Sequence, residues 1–255
     1  MKFGICTSIE NINLLAEMGF DYIECGVSKL ASLSEEEFAS WKEQAAKASI
    51  PVSCFNVLFP KTIKLIGSEY NREATVEYLN LALSRVQAMG GTTVVFGSGG
   101  ARKRPEDVDF FSAYRQLVEV TKLIGEVAAK YGVTIVIEPL NRGETNMINS
   151  MAEGAQLAAD VNMPNVKLLS DFFHVAKDGE PVEDVVRIGE FGHIHIASGK
   201  GRLYPLPGQD EQYQLYFQCL KKIGYDGRVS IEGKTEDMAK DAPVALAYMK
   251  SMIGE

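Results

Sequence analysis

Four apolar runs in the second half of the chain each end on a residue that can bind a cation or move a proton. Thr134-Ile135-Val136-Ile137 leads into Glu138, and Lys167-Leu168-Leu169-Ser170 into Asp171. His193-Ile194 leads into His195, and Val229-Ser230-Ile231 into Glu232. A single acid at the end of a strand is often no more than the cap of the next helix. Four such ends in succession form a pattern. Gathered at one end of a parallel sheet, three buried carboxylates repel one another unless they share a cation. An oxygen-rich set with one imidazole suits Mn²⁺, Mg²⁺ or Co²⁺ better than a metal that prefers thiolates. The chain has three histidines, His174, His193 and His195, all at or just past strand ends. His193 shares the strand parity of His195 but lies one layer deeper, and it reads as a core histidine rather than a ligand.

Positioning those residues requires a sheet whose strands all end on one side. Short β-rich runs alternate with amphipathic segments from end to end. The strands are expected at 2–8, 22–26, 52–57, 93–97, 134–138, 167–171, 193–197 and 228–232. Between them, Ser34-Glu35-Glu36-Glu37 opens a helix with a capping box. Helical spacing of Val76, Leu79, Leu83 and Val86 marks 72–89. Further helices are expected at 114–131, 153–161, 182–190, 213–223 and 242–253. Met18-Gly19, Met89-Gly90, Tyr131-Gly132 and Ile223-Gly224 supply glycine caps before the next strand. Eight alternations in 255 residues predict an α/β fold of one domain over 1–255, a (β/α)₈ TIM barrel. No G-x-G-x-x-G opens the first helix, which disfavours an open dinucleotide-binding sheet. Gly97-Ser98-Gly99-Gly100 lacks the Lys-Ser/Thr of a P-loop.

Composition narrows the partners. A net charge of −8 disfavours nucleic acid. No apolar run approaches the roughly 18 residues of a membrane span, and Met1-Lys2-Phe3-Gly4-Ile5-Cys6 reads as a strand rather than a signal peptide. Cys6, Cys25, Cys54 and Cys219 form no C-x-x-C pair, as expected of free thiols in a cytoplasmic protein. Self-association as a homo-oligomer stays open. The longest loops, 59–71, 97–109 and 198–212, fall on the face where barrels do chemistry. Two basic clusters there, Arg102-Lys103-Arg104 and Lys200 with Arg202, are candidate anion contacts, with a solvated loop the plainer reading of the first.

Glu138-Pro139-Leu140-Asn141-Arg142-Gly143-Glu144 resembles the E-P-L-N-R-x-E signature of the ketose 3-epimerases, within the xylose-isomerase-like, endonuclease-IV-like barrel superfamily. Asp171-Phe172-Phe173-His174 resembles their D-x-F-H element, Gly192-His193-Ile194-His195 their G-H-x-H element, and Ile231-Glu232 the glutamate of the last strand. The resemblance implies one divalent metal held by Glu138, Asp171, His195 and Glu232. It makes Glu138 and Glu232 the acid–base pair, and Glu144, His174 and Arg202 the contacts to a small sugar or keto-sugar. Where such epimerases carry a glutamate and an arginine after the ligand histidine, this chain has Ser198 and Gly201, with Arg202 one place further on.

The implied chemistry is proton transfer at a carbon beside a carbonyl, with the metal stabilising the enediolate. Epimerisation and aldose–ketose isomerisation share it. Dehydration of an inosose or keto-sugar uses the same base, and hydroxypyruvate isomerase is close in length. A metal-dependent DNA-repair endonuclease needs more histidines and a basic face, and a non-catalytic sugar-binding barrel does not need both acids.

Overall fold

The computed structural model of the chain describes residues 1–209 and 211–254. Its strands are β1 (Lys2–Cys6), β2 (Tyr22–Gly26), β3 (Val52–Asn56), β4 (Thr93–Phe96), β5 (Thr134–Ile137), β6 (Val166–Asp171), β7 (His193–Ile196) and β8 (Arg228–Ile231). Each pairs in parallel with the next, and β8 pairs with β1, so the sheet closes into a barrel. The expected (β/α)₈ barrel is the architecture found. Helices pack around it: α1 (Ile12–Glu17), α2 (Val27–Ser32), α3 (Glu35–Lys47), α4 (Arg72–Ala88), α5 (Phe110–Lys130), α6 (Met151–Val161), α7 (Phe172–Asp178), α8 (Asp184–Ile188), α9 (Tyr213–Lys222) and α10 (Met238–Ile253). Among the described residues no helix is long and apolar enough to cross a membrane.

Local sequence explains most of these bounds. Ser34 and Glu37 form the expected capping box on α3. The glycine stops act as expected, Gly90 for example at φ +82° after α4. The helix expected from residue 114 begins at Phe110, because the Asp109 side chain accepts the Ser112 N–H and caps it earlier. The added turn carries Phe110 and Phe111, which stay exposed and so give no burial period to read. The segment expected over 182–190 shrinks to α8, closed by Gly189 at φ +80°. Helix α7 was not foreseen; Asp171 caps it directly off the end of β6.

Outward-facing Ile5, Ile23, Phe55, Val94, Ile135, Leu168, Ile194 and Val229 are buried in the layer between sheet and helices. Each such side chain contributes roughly 1.5–3 kcal/mol relative to leaving it in water. The register sets what faces inward: Cys6 aligns with Glu24, Glu24 with Cys54, Leu169 with His193, and His195 with Ser230. The interior is therefore two unlike halves. Strands β4 to β6 contribute Val95, Val136 and Leu169, a small apolar cluster separate from the main core. Strands β7, β8 and β2 contribute buried His193, Ser230, Glu24 and Tyr22. Gly4 makes room for them, since a Cβ there would lie 2.4 Å from the Tyr22 ring.

Candidate active site

Asp171 closes β6, His195 lies within β7, and Glu138 and Glu232 are the first residues beyond β5 and β8. Strand parity turns all four inward at the C-terminal mouth, and one ligand atom from each lies within 4.8 Å of the others. The set expected from sequence is thus brought together in full. His195 Nδ1 stands 3.3 Å from both Glu138 Oε1 and Glu232 Oε2. Asp171 is a helix cap and a cluster member at once. Its Oδ1 accepts the Phe173 N–H at 2.9 Å, while its buried Oδ2 has no hydrogen-bond partner.

Charge is poorly balanced here. Two ionised carboxylates within 4.8 Å of each other repel by at least about 3 kcal/mol at an effective dielectric of about 20. Among the described residues one guanidinium, Arg202, pairs with them. Burial pushes the Asp171 carboxyl up to about 7 against the pull of Arg202. Burial and the neighbouring Glu232 also push Glu138 up. Burial weighs on Glu232 as well, but His195 and Arg202 outweigh it and hold its carboxyl at about 2. Three carboxylates with one imidazole, and an orphaned Asp171 oxygen among them, fit a hard divalent cation.

The residues around this cluster have defined orientations. The Asn141 backbone N–H donates to His174 Nδ1 at 3.0 Å. A neutral imidazole has one N–H, so in His174 it sits on Nε2, 3.5 Å from Asp171 Oδ2. Burial, with Arg202, holds the ring neutral, its pKa down at about 3. Arg202 follows Gly201 in a turn where both have positive φ, +54° for the arginine. Its Nη2 pairs with Glu232 Oε2, its Nη1 lies 3.5 Å from Glu144 Oε1, and its guanidinium covers the Phe173 ring at 4.6 Å. Arg202 therefore reaches the site despite the shifted spacing. Ser198, which stands where the resembled epimerases carry a glutamate, holds that turn by donating to the Lys200 carbonyl at 2.6 Å. Lys200 itself is exposed.

Arg102 is corrected on both expected readings, anion contact and solvated loop. It is fully buried and donates to the Phe96 and Glu138 carbonyls at 3.0 and 2.6 Å. The Phe96 carbonyl also accepts the Glu138 N–H at 3.2 Å, so Arg102 ties the ends of β4 and β5 together from inside the protein. Arg104 likewise spends one nitrogen on the Val108 carbonyl.

Sequence reasoning missed three contributors. Glu24, fully buried, accepts from His193, His195 and Ser230. Asn56 donates to Glu232 Oε1 at 2.8 Å. Gly97 leaves the space that Glu138 fills, since a Cβ there would lie 2.1 Å from Glu138 Oε2. The signal for Glu24 was an acid inside the run Tyr22-Ile23-Glu24-Cys25, with the inward parity of Tyr22. A charge so placed must have buried partners. A cavity of about 480 Å³ opens beside Glu232 and Arg202 and extends past Asn56 to Trp41, Lys29 and Lys234.

Barrel and cluster together define a (β/α)₈ protein with an acid–histidine centre at the C-terminal mouth. A family model described as xylose isomerase-like TIM barrel matches residues 12–252, and the chain belongs to that family. It is 28% identical over 231 residues to a D-psicose 3-epimerase of Agrobacterium fabrum, covering 87% of this chain and 77% of that protein. It is 24% identical to the 3-dehydro-D-guloside 4-epimerase of Escherichia coli, covering 95% of this chain and 94% of that one. A crystal structure of a D-psicose 3-epimerase in the presence of D-fructose superposes with a TM-score of 0.88, at 24% identity and full coverage of both chains.

Proposed function

We propose that the chain is a divalent-metal-dependent carbohydrate isomerase or epimerase of the ketose 3-epimerase kind, moving a proton at a carbon beside a carbonyl. The carrying observation is the convergence of Glu138, Asp171, His195 and Glu232 within 4.8 Å at the barrel mouth. These four are the ligands of one Mn²⁺, Mg²⁺ or Co²⁺. The bound cation supplies Lewis-acid stabilisation of the negative charge that develops on the substrate oxygens.

The side chains do the rest. Glu138, its proton affinity raised by burial and by Glu232, is the better suited of the two to take up a proton. Glu232 serves the other side of the reacting carbon. Substrate that draws Arg202 away from Glu232 raises the proton affinity of that carboxylate and readies it for its turn. His174 presents its Nε2–H to a substrate oxygen, and the Asn141 N–H on Nδ1 keeps that ring a donor rather than a base. Arg202 and Glu144 bind substrate hydroxyls from the rim. Return of the proton from the opposite face gives epimerisation, and return to the neighbouring carbon gives isomerisation.

The names of the relatives support a small free sugar or keto-sugar as substrate. The test is a panel of ketoses, inososes and hydroxypyruvate incubated with enzyme and Mn²⁺ in deuterated solvent. Deuterium entering a ketose beside its carbonyl is the expected result. Loss of water from an inosose without epimer formation reassigns the site to a dehydratase, and turnover of hydroxypyruvate alone reassigns it to that isomerase.

A further inference from the structure

One buried carboxylate has no part in the proton transfers above. Glu24 lies in the middle of β2, one layer below the ligand cluster, and is wholly inaccessible to solvent. Three groups converge on it: Ser230 Oγ donates to Oε2 at 2.6 Å, His193 Nε2 approaches Oε2 at 2.9 Å, and His195 Nε2 approaches Oε1 at 3.0 Å. The Tyr22 hydroxyl stands 2.7 Å from Ser230 Oγ and completes the chain behind it. An ionised carboxylate can only accept, so His195 must carry its proton on Nε2. With Nε2 so engaged, a cation that displaces the other ring proton meets the lone pair on Nδ1. Nδ1 is the atom placed 3.3 Å from both Glu138 Oε1 and Glu232 Oε2.

We infer that Glu24 is a positioning residue for the metal centre: by accepting from His195 Nε2 it fixes the tautomer and ring orientation that turn Nδ1 to the cation. This rests on the metal site proposed above. The other neighbour of His195 Nε2, the Cys6 sulfur, is 3.9 Å away and a weak acceptor, so it orients the ring far less than the Glu24 carboxylate at 3.0 Å. Glu24, His193 and His195 also sit close enough together to form a second metal site. Hydrogen bonding argues against that use. Both Glu24 oxygens are already engaged by donors, and all three residues are sealed from water.

The experiment is a calorimetric Mn²⁺ titration of the full chain, alongside its thermal melt, for wild type, H195A, E24Q, E24A and Y22F. Removing a partner behind a ligating histidine typically costs about 10–100-fold in metal affinity. E24A is expected to bind in that weakened range while still melting cooperatively. E24Q keeps an amide oxygen that can accept from Nε2 and is expected to fall between E24A and wild type. If E24A does not fold, E24Q carries the comparison. Y22F touches the network only through Ser230 and is expected to bind Mn²⁺ as wild type does, so stability loss alone does not mimic the effect. Wild-type affinity in both Glu24 variants overturns the inference and leaves the metal centre standing. A second equivalent of Mn²⁺ that disappears in E24A overturns it by making Glu24 a ligand. A wild-type chain that binds no divalent cation, or an H195A variant that binds like wild type, overturns the metal centre and this inference with it.

Discussion

Glu138 and Glu232 face the same cluster but are held differently. Glu138 leans into the space left by Gly97, while Glu232 is tied down by Asn56 and Arg202. Replacing either by Gln keeps a weak ligand atom but removes the site that accepts a proton. Each variant is expected to keep its fold and to lose about 10²–10⁴-fold in kcat. Proton exchange with deuterated solvent, followed by NMR, separates the two: each variant should still exchange from one epimer and not the other. Near wild-type exchange from both epimers in both variants would sink the two-base scheme. Arg202 gives a second residue-level expectation. Reversing its charge with R202E should raise KM about tenfold or more, the size of a lost hydrogen bond to a charged group. A KM left where it was would remove Arg202 from the substrate contacts. At this scale the sequence was legible where an acid or histidine follows an apolar run, as at Glu138, Asp171, His195 and Glu232. At Glu24 it left one signal, an acid inside a strand run, and it was opaque at Asn56 and Gly97, because their importance lies in what another strand brings beside them.

Elements decide how those residues are aimed. The loop after β4 carries Gly97, and a methyl group there would meet the Glu138 carboxylate. G97A is expected to lower kcat by at least about 10²-fold with little change in secondary structure, because a displacement of about 1 Å in a reacting group costs that much. Full activity in G97A would mean that Glu138 has other room to occupy. Helix α6 and the end of α7 meet at Glu180, whose carboxylate accepts the Met151 N–H at 2.9 Å. Burial, with Asp184 and Asp178 nearby, outweighs that bond and pushes its carboxyl up to about 7. A carboxyl whose folded-state pKa is raised favours the fold when protonated. That contribution is complete below its ordinary value near 4.3 and is lost as pH rises through about 7. E180Q should therefore gain melting temperature relative to wild type more at pH 8.5 than at pH 5, and a pH-independent difference between the two melts would contradict the reading. Element types were legible from period and caps. Starts and stops slipped at Asp109, whose cap has no burial period beside it, and at Asp171, where the cap and ligand readings of a strand-end acid stand as alternatives and the residue does double duty as strand end and helix cap.

Across the whole molecule, eight strand runs in 255 residues were enough to read a closed barrel, since each run repeats one rule of burial. The three clustered carboxylates repel one another, and on the proposed reading a bound cation relieves that cost. Chelation of the purified protein should therefore lower its melting temperature. Added Mn²⁺ at about 100 times its Kd should restore about 2.7 kcal/mol, on the order of 5–10 °C for a chain of this length. A melt indifferent to chelator and Mn²⁺ would count against the metal centre. What the repeating rule hid is that the barrel's interior is not uniform around its axis. To a random mutagenesis library the two halves would look like different proteins. At Val95, Val136 and Leu169, aliphatic exchanges of similar volume should pass selection freely. At Tyr22, Glu24, His193 and Ser230 almost any exchange strands a donor or acceptor that no solvent can reach. Surviving diversity should therefore trace a crescent along strands β4 to β6, and the polar arc that supports His195 should show up as a gap in the mutational record.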